Sequence, residues 1–297
     1  MKNTKHNFYY HALLLPGVIL LIIFNVIPMG GLIMAFQNYM PARGMLRSPF
    51  IGLDNFRRLF MFPDSKQVIF NTLIIAFWKI VFNLIIPVIF ALILNECTNL
   101  FFKKFVQTVV YLPHFLSWVI VAVMLSNVFS MNGIINKLLA SFGQAEPTFF
   151  LVSNTWFRPI LIITDVWKSF GYGSIIYLAA ITNLDPAHYE AADMDGASRL
   201  QKITYITFPG ILPTVILMSA LSLGRILNAG FDQVFNMYSP LVYRTGDIID
   251  TYVFRVGLQG LQYSFSTAVG LFKSVVSFIL ITISYAAADR FAGYTIF

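Results

Sequence analysis

Long apolar runs separated by polar connections dominate the pattern of this sequence. Six runs of about 20 residues or more cover 12–36, 72–94, 109–129, 160–182, 211–229 and 268–288. A helix of about 20 apolar residues is long enough to cross the hydrocarbon core of a bilayer. Only helices and closed barrels satisfy their backbone groups in lipid, and these runs lack the alternation of barrel strands. The pattern therefore predicts an all-α membrane protein with six transmembrane helices in one domain over 1–297.

The composition agrees with a membrane protein. Hydrophobic residues make up 58% of the chain and charged residues only 11%, which excludes an ordinary water-soluble domain of 297 residues. The first run is too long for a signal peptide and no small-residue cleavage site follows it, so we expect a permanent span. Cys97 is the only cysteine, which excludes an internal disulfide and a cysteine-cluster metal site. His114 has no metal-ligand companion at useful spacing, so we expect no metal site.

The net charge of +7 does not indicate a nucleic-acid partner, because the basic residues are scattered and form no continuous stripe. In a membrane protein, a positive net charge is more typical of contact with anionic membrane lipids. An even number of spans places both termini on one side. Lys103 and Lys104, in the short connection 95–108, weakly favour a cytoplasmic amino terminus.

The polar stretch 185–209 interrupts two apolar runs. Asp185 and Pro186 form a strong helix start, so we predict a short helix from Pro186 to about residue 195. Gly196 supplies the break, and a second short helix over 197–207 is expected to end at Pro209, where the fifth span begins. Small residues at the tip of such a helix-turn-helix let its backbone approach a groove on another protein, and Glu190 offers a charge-assisted contact.

The residue order in this stretch resembles the EAA loop of permease subunits in ATP-binding-cassette importers. That loop has E-A-A, three residues, G, nine residues, I, any residue, L and P, which correspond here to Glu190-Ala191-Ala192, Gly196 and Ile206-Thr207-Phe208-Pro209. Phe208 departs from the usual Leu by an apolar exchange. The whole chain is similar to the maltose-type and polysaccharide-type sugar permeases. Shorter stretches such as Gly52-Leu53-Asp54-Asn55-Phe56 and Gly230-Phe231-Asp232-Gln233 add weaker similarity.

The resemblance implies a non-catalytic subunit of a transport complex in the cell membrane. It implies a second homologous permease, which makes a heterodimer, together with two ATPase subunits and an extracytoplasmic sugar-binding protein. The phosphate-binding G-x-x-x-x-G-K-[ST] motif is absent, so the chain is expected to bind no cofactor, and ATP and Mg²⁺ are used by the partners. A cytoplasmic loop places both termini in the cytoplasm. The residues expected to couple to the ATPase are Glu190, Ala191, Ala192, Asp195, Gly196 and Pro209.

Ionisable residues in spans usually face a protein interior or a water-filled cavity. Five occur here, namely Lys79, Asp165, Lys168, Arg225 and Lys273. Asp165 and Lys168 share a helix face and either neutralise each other or line a cavity. Arg225, deep in the fifth span, either binds sugar hydroxyls or a uronate, or pairs with an acid of the partner permease. Lys79 and Lys273 are expected to snorkel or to pair across helices.

Aromatic side chains near these charges suggest a cavity wall, because aromatic faces stack on sugar rings. The residues predicted for the substrate pathway are Asp165, Trp167, Lys168, Tyr172, Tyr177, Arg225 and Asn228. Four acids, Glu146, Asp232, Asp247 and Asp250, lie in predicted outer loops, where we expect solvated contacts for the binding protein rather than bare surface charge.

Two other classes of function remain open at this point. A stand-alone secondary solute transporter would also carry interior charges and broken helices, but the inverted repeats of that class are not evident. A membrane enzyme acting on lipid-linked sugars would need acids or histidines clustered at one membrane face, and none appears in the sequence. The favoured function is a permease subunit that imports oligosaccharides or polysaccharides.

Overall fold

The computed structural model describes residues 3–144 and 146–292 of the chain. The two chain ends predicted to be cytoplasmic, Met1 and Phe297, lie outside these residues. Within the described part the regular structure is helical, apart from one isolated antiparallel bridge between Gln37 and Phe50. This agrees with the predicted all-α class.

The α-helices are α1 (Asn3–Leu21), α2 (Ile27–Met29), α3 (Gly44–Arg47), α4 (Asp54–Met61), α5 (Pro63–Asn95), α6 (Leu100–Tyr111), α7 (Trp118–Val128), α8 (Ile134–Ser141), α9 (Phe157–Thr182), α10 (Pro186–Met194), α11 (Arg199–Lys202), α12 (Phe208–Leu223), α13 (Phe231–Met237), α14 (Tyr243–Gly246), α15 (Ile249–Val253) and α16 (Tyr263–Ala292). Wider π turns cover Ile22–Val26, Ile203–Thr207 and Phe254–Gln259. Tighter 3₁₀ turns cover Gly30–Phe36, Leu112–Phe115, Phe150–Val152 and Pro240–Val242.

Helices able to cross a membrane account for most of the predicted spans. Four described helical stretches are long and apolar enough, namely Tyr10–Phe36, Pro63–Asn95, Arg199–Leu223 and Tyr263–Ala286. A bent pair, Leu100–Phe115 with Trp118–Val128, makes five if the pair counts as one span. The predicted span 160–182 lies in the 26-residue helix α9, whose polar and charged residues keep it out of this set. Six spans therefore stay a prediction.

The run 109–129 is not the single straight helix that the sequence predicts. The chain bends by 101° between α6 and α7. Pro113 lies in the 3₁₀ turn after α6, where it has no N–H to continue a helix. Ser117 then caps α7, its side chain accepting a hydrogen bond from the Ile120 N–H at 3.4 Å. One helix stops and another starts within the apolar run.

The second helix of the 185–209 stretch continues where we predicted an end. A π turn over Ile203–Thr207 joins α11 to α12, so the helical stretch Arg199–Leu223 runs on past Pro209. The Phe208 N–H donates to the Ile203 carbonyl across this wider turn. Pro209 follows this π turn as the second residue of α12.

The fifth predicted span ends earlier than its apolar sequence suggests. Helix α12 stops at Leu223 and Gly224 forms its C-cap. A Cβ on Gly224 would lie 2.3 Å from a side-chain carbon of Ile281, so the glycine permits close packing against α16. The chain then turns until Gly230, whose φ of 93° favours glycine. Arg225 and Asn228 therefore lie in a turn, and their predicted place deep in a helical span is wrong.

The chain forms two compact units, one from residues 3–63 and 253–272 and the other from residues 64–252 and 273–292. The larger unit has an apolar core around Phe157, Leu161 and Val234. Gly171 brings α9 close to α6, because a Cβ there would lie 2.3 Å from the Val110 carbonyl oxygen. Since lipid tails are as apolar as these side chains, close packing of this kind stabilises helix contacts in a bilayer.

Two of the four acids expected to be solvated in outer loops are engaged in the larger unit instead, whereas Glu146 and Asp232 are exposed. Asp247 is 1% exposed and its carboxylate accepts a hydrogen bond from the Thr251 hydroxyl at 2.7 Å. Asp250 forms an ion pair with Lys273, with 2.5 Å between Oδ1 and Nζ. The expectation of solvated contacts is therefore wrong for both, while the expected pairing of Lys273 across helices is confirmed.

Candidate functional site

A polar cavity of about 270 Å³ lies in the larger unit. It brings together three of the five ionisable residues placed in spans by the sequence: Lys79 of α5, Asp165 of α9, and Arg225 in the turn after α12. The other lining residues are Ala76, Ile80, Asn83, Ser222, Asn228, Ala229 and Gly230. We call this cavity the Arg225 pocket.

An ion pair closes one side of the Arg225 pocket. The Lys79 ammonium lies 3.2 Å from Asp165 Oδ1, and the Asn83 amide donates to Asp165 Oδ2 at 2.9 Å. Lys79 also donates to the Ala229 carbonyl at 2.7 Å and to the side-chain oxygen of Gln233. Asp165 is thus neutralised by Lys79, and the alternative that Lys168 neutralises it is not what the structure shows.

Gln233 is a member of this network that the sequence analysis did not select. Its side chain is fully buried and its amide nitrogen donates to the Leu161 carbonyl and the Thr164 hydroxyl, both at 2.8 Å. Gly230 lets the loop approach Lys79, because a Cβ there would lie 3.0 Å from the ammonium nitrogen. In the sequence, the signal for this network was Gly230 followed three residues later by the amide side chain of Gln233.

Arg225 differs from Lys79 because its guanidinium has no ion pair or side-chain hydrogen bond with any described residue. Its side chain is exposed, as is that of Asn228 three residues later. Ser222 lines the same side of the pocket. A planar guanidinium with free donors, beside a hydroxyl and an amide, suits a carboxylate or a set of sugar hydroxyls.

Lys168 and Tyr172 face the break in the third predicted span rather than the Arg225 pocket. The Lys168 ammonium donates to the His114 carbonyl at 2.8 Å and lies 5.4 Å from the centre of the Trp118 ring. Tyr172 stacks on His114, with ring centroids 4.0 Å apart and planes 2° from parallel. These contacts attach α9 to the loop between α6 and α7, and the stack keeps one tyrosine face partly exposed.

The two remaining aromatic residues of the predicted pathway lie apart from the Arg225 pocket. Trp167 is 41% exposed on α9. Tyr177 is only 2% exposed and packs in an apolar cluster with Val88, Ala91 and Ile211. Packing accounts for Tyr177 without any contact to a solute.

The 185–209 stretch forms a helical hairpin, which we call the 185–209 hairpin. Helix α10 begins at Pro186 as the sequence predicts, and Asp185 Oδ1 accepts a hydrogen bond from the Ala187 N–H at 2.9 Å. Gly196 makes the break with a φ of 71°. A capping box between Ser198 and Gln201 then starts α11.

Two side-chain contacts hold the arms of the hairpin together. Lys202 Nζ lies 2.5 Å from Asp193 Oδ1, and the hydroxyls of Tyr189 and Thr207 are 2.9 Å apart. With both arms tied and both helix starts capped, the hairpin is suited to move as one body.

The outer surface of the hairpin combines the expected polar residues with apolar ones. Glu190, Ala191, Asp195, Gly196 and Pro209 are exposed and Ala192 is partly exposed. Three large apolar side chains that the sequence analysis did not select are also exposed: Met194 at 89%, Leu200 at 72% and Tyr205 at 76%. Exposed apolar side chains around a charged residue are typical of a protein-docking surface. The sequence feature that could have identified these three residues is their apolar character within an otherwise polar connection.

Known proteins similar to this chain are transport permeases. Residues 83–293 match the family described as binding-protein-dependent transport system inner membrane component. Protein LplB of Bacillus subtilis (strain 168) is 41% identical over 98% of this chain and 92% of its own length. The polygalacturonan/rhamnogalacturonan transport system permease protein YteP of the same organism is 41% identical over 95% of this chain and 88% of its own.

The fold also matches a solved transporter. A crystal structure of a bacterial alginate ABC transporter, in complex with an alginate pentasaccharide-bound periplasmic protein, contains a chain with a TM-score of 0.91 to this one. The two chains are 39% identical, and the match covers 99% of each. The resemblance to importer permeases is thus confirmed, and the function is that of a transport permease rather than an enzyme. The chain belongs to the family of inner membrane components of binding-protein-dependent transport systems.

Proposed function

We propose that this chain is one permease subunit of an ATP-driven importer, and that its cargo is an acidic oligosaccharide or polysaccharide. The observation that carries the choice of cargo is the free guanidinium of Arg225 in a pocket whose other cation, Lys79, is already neutralised. A uronate carboxylate matches the planar fork of an arginine, and hydroxyls match Ser222 and Asn228. Permease YteP, named for polygalacturonan and rhamnogalacturonan transport, supports this choice.

We assign the substrate pathway to the Arg225 pocket and the partly exposed side of α9. Arg225 and Asn228 bind the saccharide directly, while Asp165 is held by Lys79 and offers hydrogen-bond acceptors at the pocket wall. Lys168, Trp167 and Tyr172 extend the wall along α9, with Tyr172 providing a stacking face. Tyr177 is assigned to packing, because its ring is buried among apolar residues.

The 185–209 hairpin is proposed to receive the motion of an ATPase subunit. Glu190, Ala191, Ala192, Asp195 and Gly196 form its docking surface, and the exposed Met194, Leu200 and Tyr205 enlarge the apolar part. Closure of the ATPases on ATP and Mg²⁺ displaces the hairpin as a rigid body. Because α11, the π turn and α12 are continuous past Pro209, that displacement reaches the turn that carries Arg225.

The remaining partners follow from this assembly. We propose a second homologous permease that completes the pathway as a heterodimer, two ATPase subunits, and a sugar-binding protein on the extracytoplasmic side. The hairpin then faces the cytoplasm together with both chain termini. The crystallised alginate transporter, with its pentasaccharide-loaded periplasmic protein, supports the expectation of a binding-protein partner.

Uptake by the assembled complex in liposomes tests the proposal. We expect ATP enclosed in the liposomes, on the side that the 185–209 hairpin faces, to drive uptake of a galacturonate trisaccharide presented by its binding protein. Vanadate, which traps such ATPases, is expected to stop uptake. Uptake that follows a proton or sodium gradient without ATP would instead support a stand-alone secondary transporter.

A further inference from the structure

A second polar cavity, of about 430 Å³, lies in the smaller unit and shares no residue with the Arg225 pocket. Its lining comes from the loop before α4, from α4 itself, and from the start of α16. The lining residues are Asn38, Tyr39, Ile51, Asp54, Asn55, Arg58, Leu261, Gln262, Tyr263, Ser264 and Phe265. The volume lies within the range of roughly 300–1,000 Å³ that is typical of small-ligand sites. We call it the Arg58 pocket.

The charge in this cavity comes from an arginine without a carboxylate partner. The Arg58 guanidinium lies 5.5 Å from the ring centre of Phe62 and 5.4 Å from that of Phe265. Asp54 lines the same cavity but pairs with the neighbouring Arg57, at 3.4 Å. Among the described residues none forms an ion pair with Arg58, so its planar set of N–H groups is free to donate hydrogen bonds to a carboxylate.

The remaining walls carry the groups that recognise a sugar ring. Tyr39 and Tyr263 meet edge to face with ring centroids 6.0 Å apart. The Tyr39 N–H donates to the Ser264 hydroxyl at 2.7 Å, which fixes the loop to the start of α16. The exposed amides of Asn38 and Gln262 supply both donors and acceptors for hydroxyls. Aromatic faces and convergent amides around one cation are suited to an acidic monosaccharide unit.

Backbone strain occurs at the rim of the same cavity. Leu261 has a φ of 55°, and in the described chain it is the one residue other than glycine with a positive φ. The Gln262 N–H donates to the Val256 carbonyl at 3.1 Å, and the Ser266 N–H donates to the Gln262 carbonyl at 3.1 Å. These bonds hold the strained residue in place. Strained positions of this kind cluster at ligand clamps and other functional sites.

We propose that the Arg58 pocket is a second saccharide site, which binds one hexuronate unit of an acidic glycan. Arg58 binds the carboxylate, Asn38 and Gln262 bind hydroxyls, and the Tyr39–Tyr263 pair contacts the ring. Only one part of this inference, the class of saccharide, rests on the proposed function. The site itself is carried by the cavity, its unpaired arginine and its aromatic wall.

Binding of galacturonate trisaccharide to the complete complex, without ATP and without the binding protein, tests this site. The Arg225→Ala complex serves as the background, because it removes the principal contact of the other pocket. In that background we expect saturable binding by titration calorimetry. Adding Arg58→Ala is expected to weaken binding about 10-fold to 100-fold, as loss of a charge-assisted hydrogen bond predicts. Arg58→Lys, which keeps the charge but loses the planar fork, is expected to give a smaller loss.

Arg47→Ala is the matched control. It removes the same charge from an exposed arginine of α3, which does not line the cavity, and we expect less than a twofold change. The methyl-esterified trisaccharide, which lacks the carboxylates, should bind no better to the Arg58 protein than to Arg58→Ala.

Three results would overturn the proposal. The first is no binding in the Arg225→Ala background, and the second is equal binding with Arg58→Ala and Arg47→Ala. The third is an effect of Arg58→Ala that appears only in docking of the binding protein. If Arg58→Ala fails to assemble, the binding measured for Arg58→Lys is compared with that of the control variant in its place. Because binding is measured without ATP, failure of ATP-driven uptake is a separate result that bears on the proposed function and not on this site.

Discussion

The Lys79 ammonium lies 3.2 Å from Asp165 Oδ1 and joins α5 to α9, although the two residues are far apart in sequence. Both side chains are largely buried, at 7% and 19% exposure. A buried ion pair contributes little relative to apolar residues, but removing one partner leaves an uncompensated charge.

Asp165→Ala is therefore expected to destabilise the protein by about 3–5 kcal/mol, measured by unfolding of the purified complex. The Lys79→Ala, Asp165→Ala double variant should lose less than the sum of the two single losses. Asp54→Ala, in the exposed Arg57 pair, is the control and should cost about 0–1 kcal/mol. Additive losses at Lys79 and Asp165 would contradict an energetic pair.

Gly230→Ala is expected to destabilise the Arg225 pocket. The residue has a φ of 93°, and a Cβ would lie 3.0 Å from the Lys79 nitrogen. The left-handed conformation alone costs about 1–2 kcal/mol for a residue with a Cβ. Gly17→Ala in α1, where a Cβ meets nothing within 4 Å, should be neutral or slightly stabilising. Equal melting temperatures for both variants would contradict the close approach of Gly230 to Lys79.

Arg225→Ala is expected to reduce uptake of acidic trisaccharide about 10-fold to 100-fold in proteoliposomes, because it removes charge-assisted hydrogen bonds to the cargo. Assembly should be unaffected, since the guanidinium makes no ion pair or side-chain hydrogen bond with the described residues. Arg57→Ala controls for loss of one positive charge. Wild-type uptake and wild-type stimulation of ATP hydrolysis in Arg225→Ala would place this residue outside the pathway.

Glu190→Ala and Gly196→Asp are expected to leave membrane insertion intact but to weaken binding of the ATPase subunit and abolish uptake. Glu190 is exposed, so its removal takes away a docking contact. Gly196 has a φ of 71°, which glycine adopts more readily than aspartate, and the aspartate adds a charged side chain at the exposed tip. Co-purification of the ATPase with the permease measures the effect. Glu146→Ala, at an exposed position outside the hairpin, is the control. Normal co-purification together with normal uptake would refute the coupling role.

The local features of the chain were predictable from the sequence. Asp185 and Pro186 start α10 as predicted, because a side-chain cap and a proline act over a few residues. The break after α6 arises at Pro113 and Ser117, which the prediction of one helix over 109–129 did not use, and its angle of 101° depends on what the two helices pack against. Sequence patterns of this kind specify where a helix begins more firmly than where the next one points.

Contacts between distant residues were not predictable. The spacing of Asp165 and Lys168 suggested a pair within one helix, whereas the structure pairs Asp165 with a lysine of another helix. The apolar run to residue 229 gave no sign that α12 stops at Leu223, because the close contact of Gly224 with Ile281 is a tertiary one. Arg225 could therefore be selected as a candidate from the sequence, but its surroundings could not be predicted.

The π turn at Ile203–Thr207 joins the 25 residues from Arg199 to Leu223 into one helical stretch, about 37 Å long at 1.5 Å per residue. Its two ends carry the capped hairpin and the turn with Arg225. A helical stretch that is unbroken between the hairpin and this turn can carry a displacement along its length, so we expect few hydrolysed nucleotides to be wasted without a sugar moved. A pair of glycines placed in the π turn at Ile203–Thr207 should raise the number of ATP molecules hydrolysed per saccharide transported.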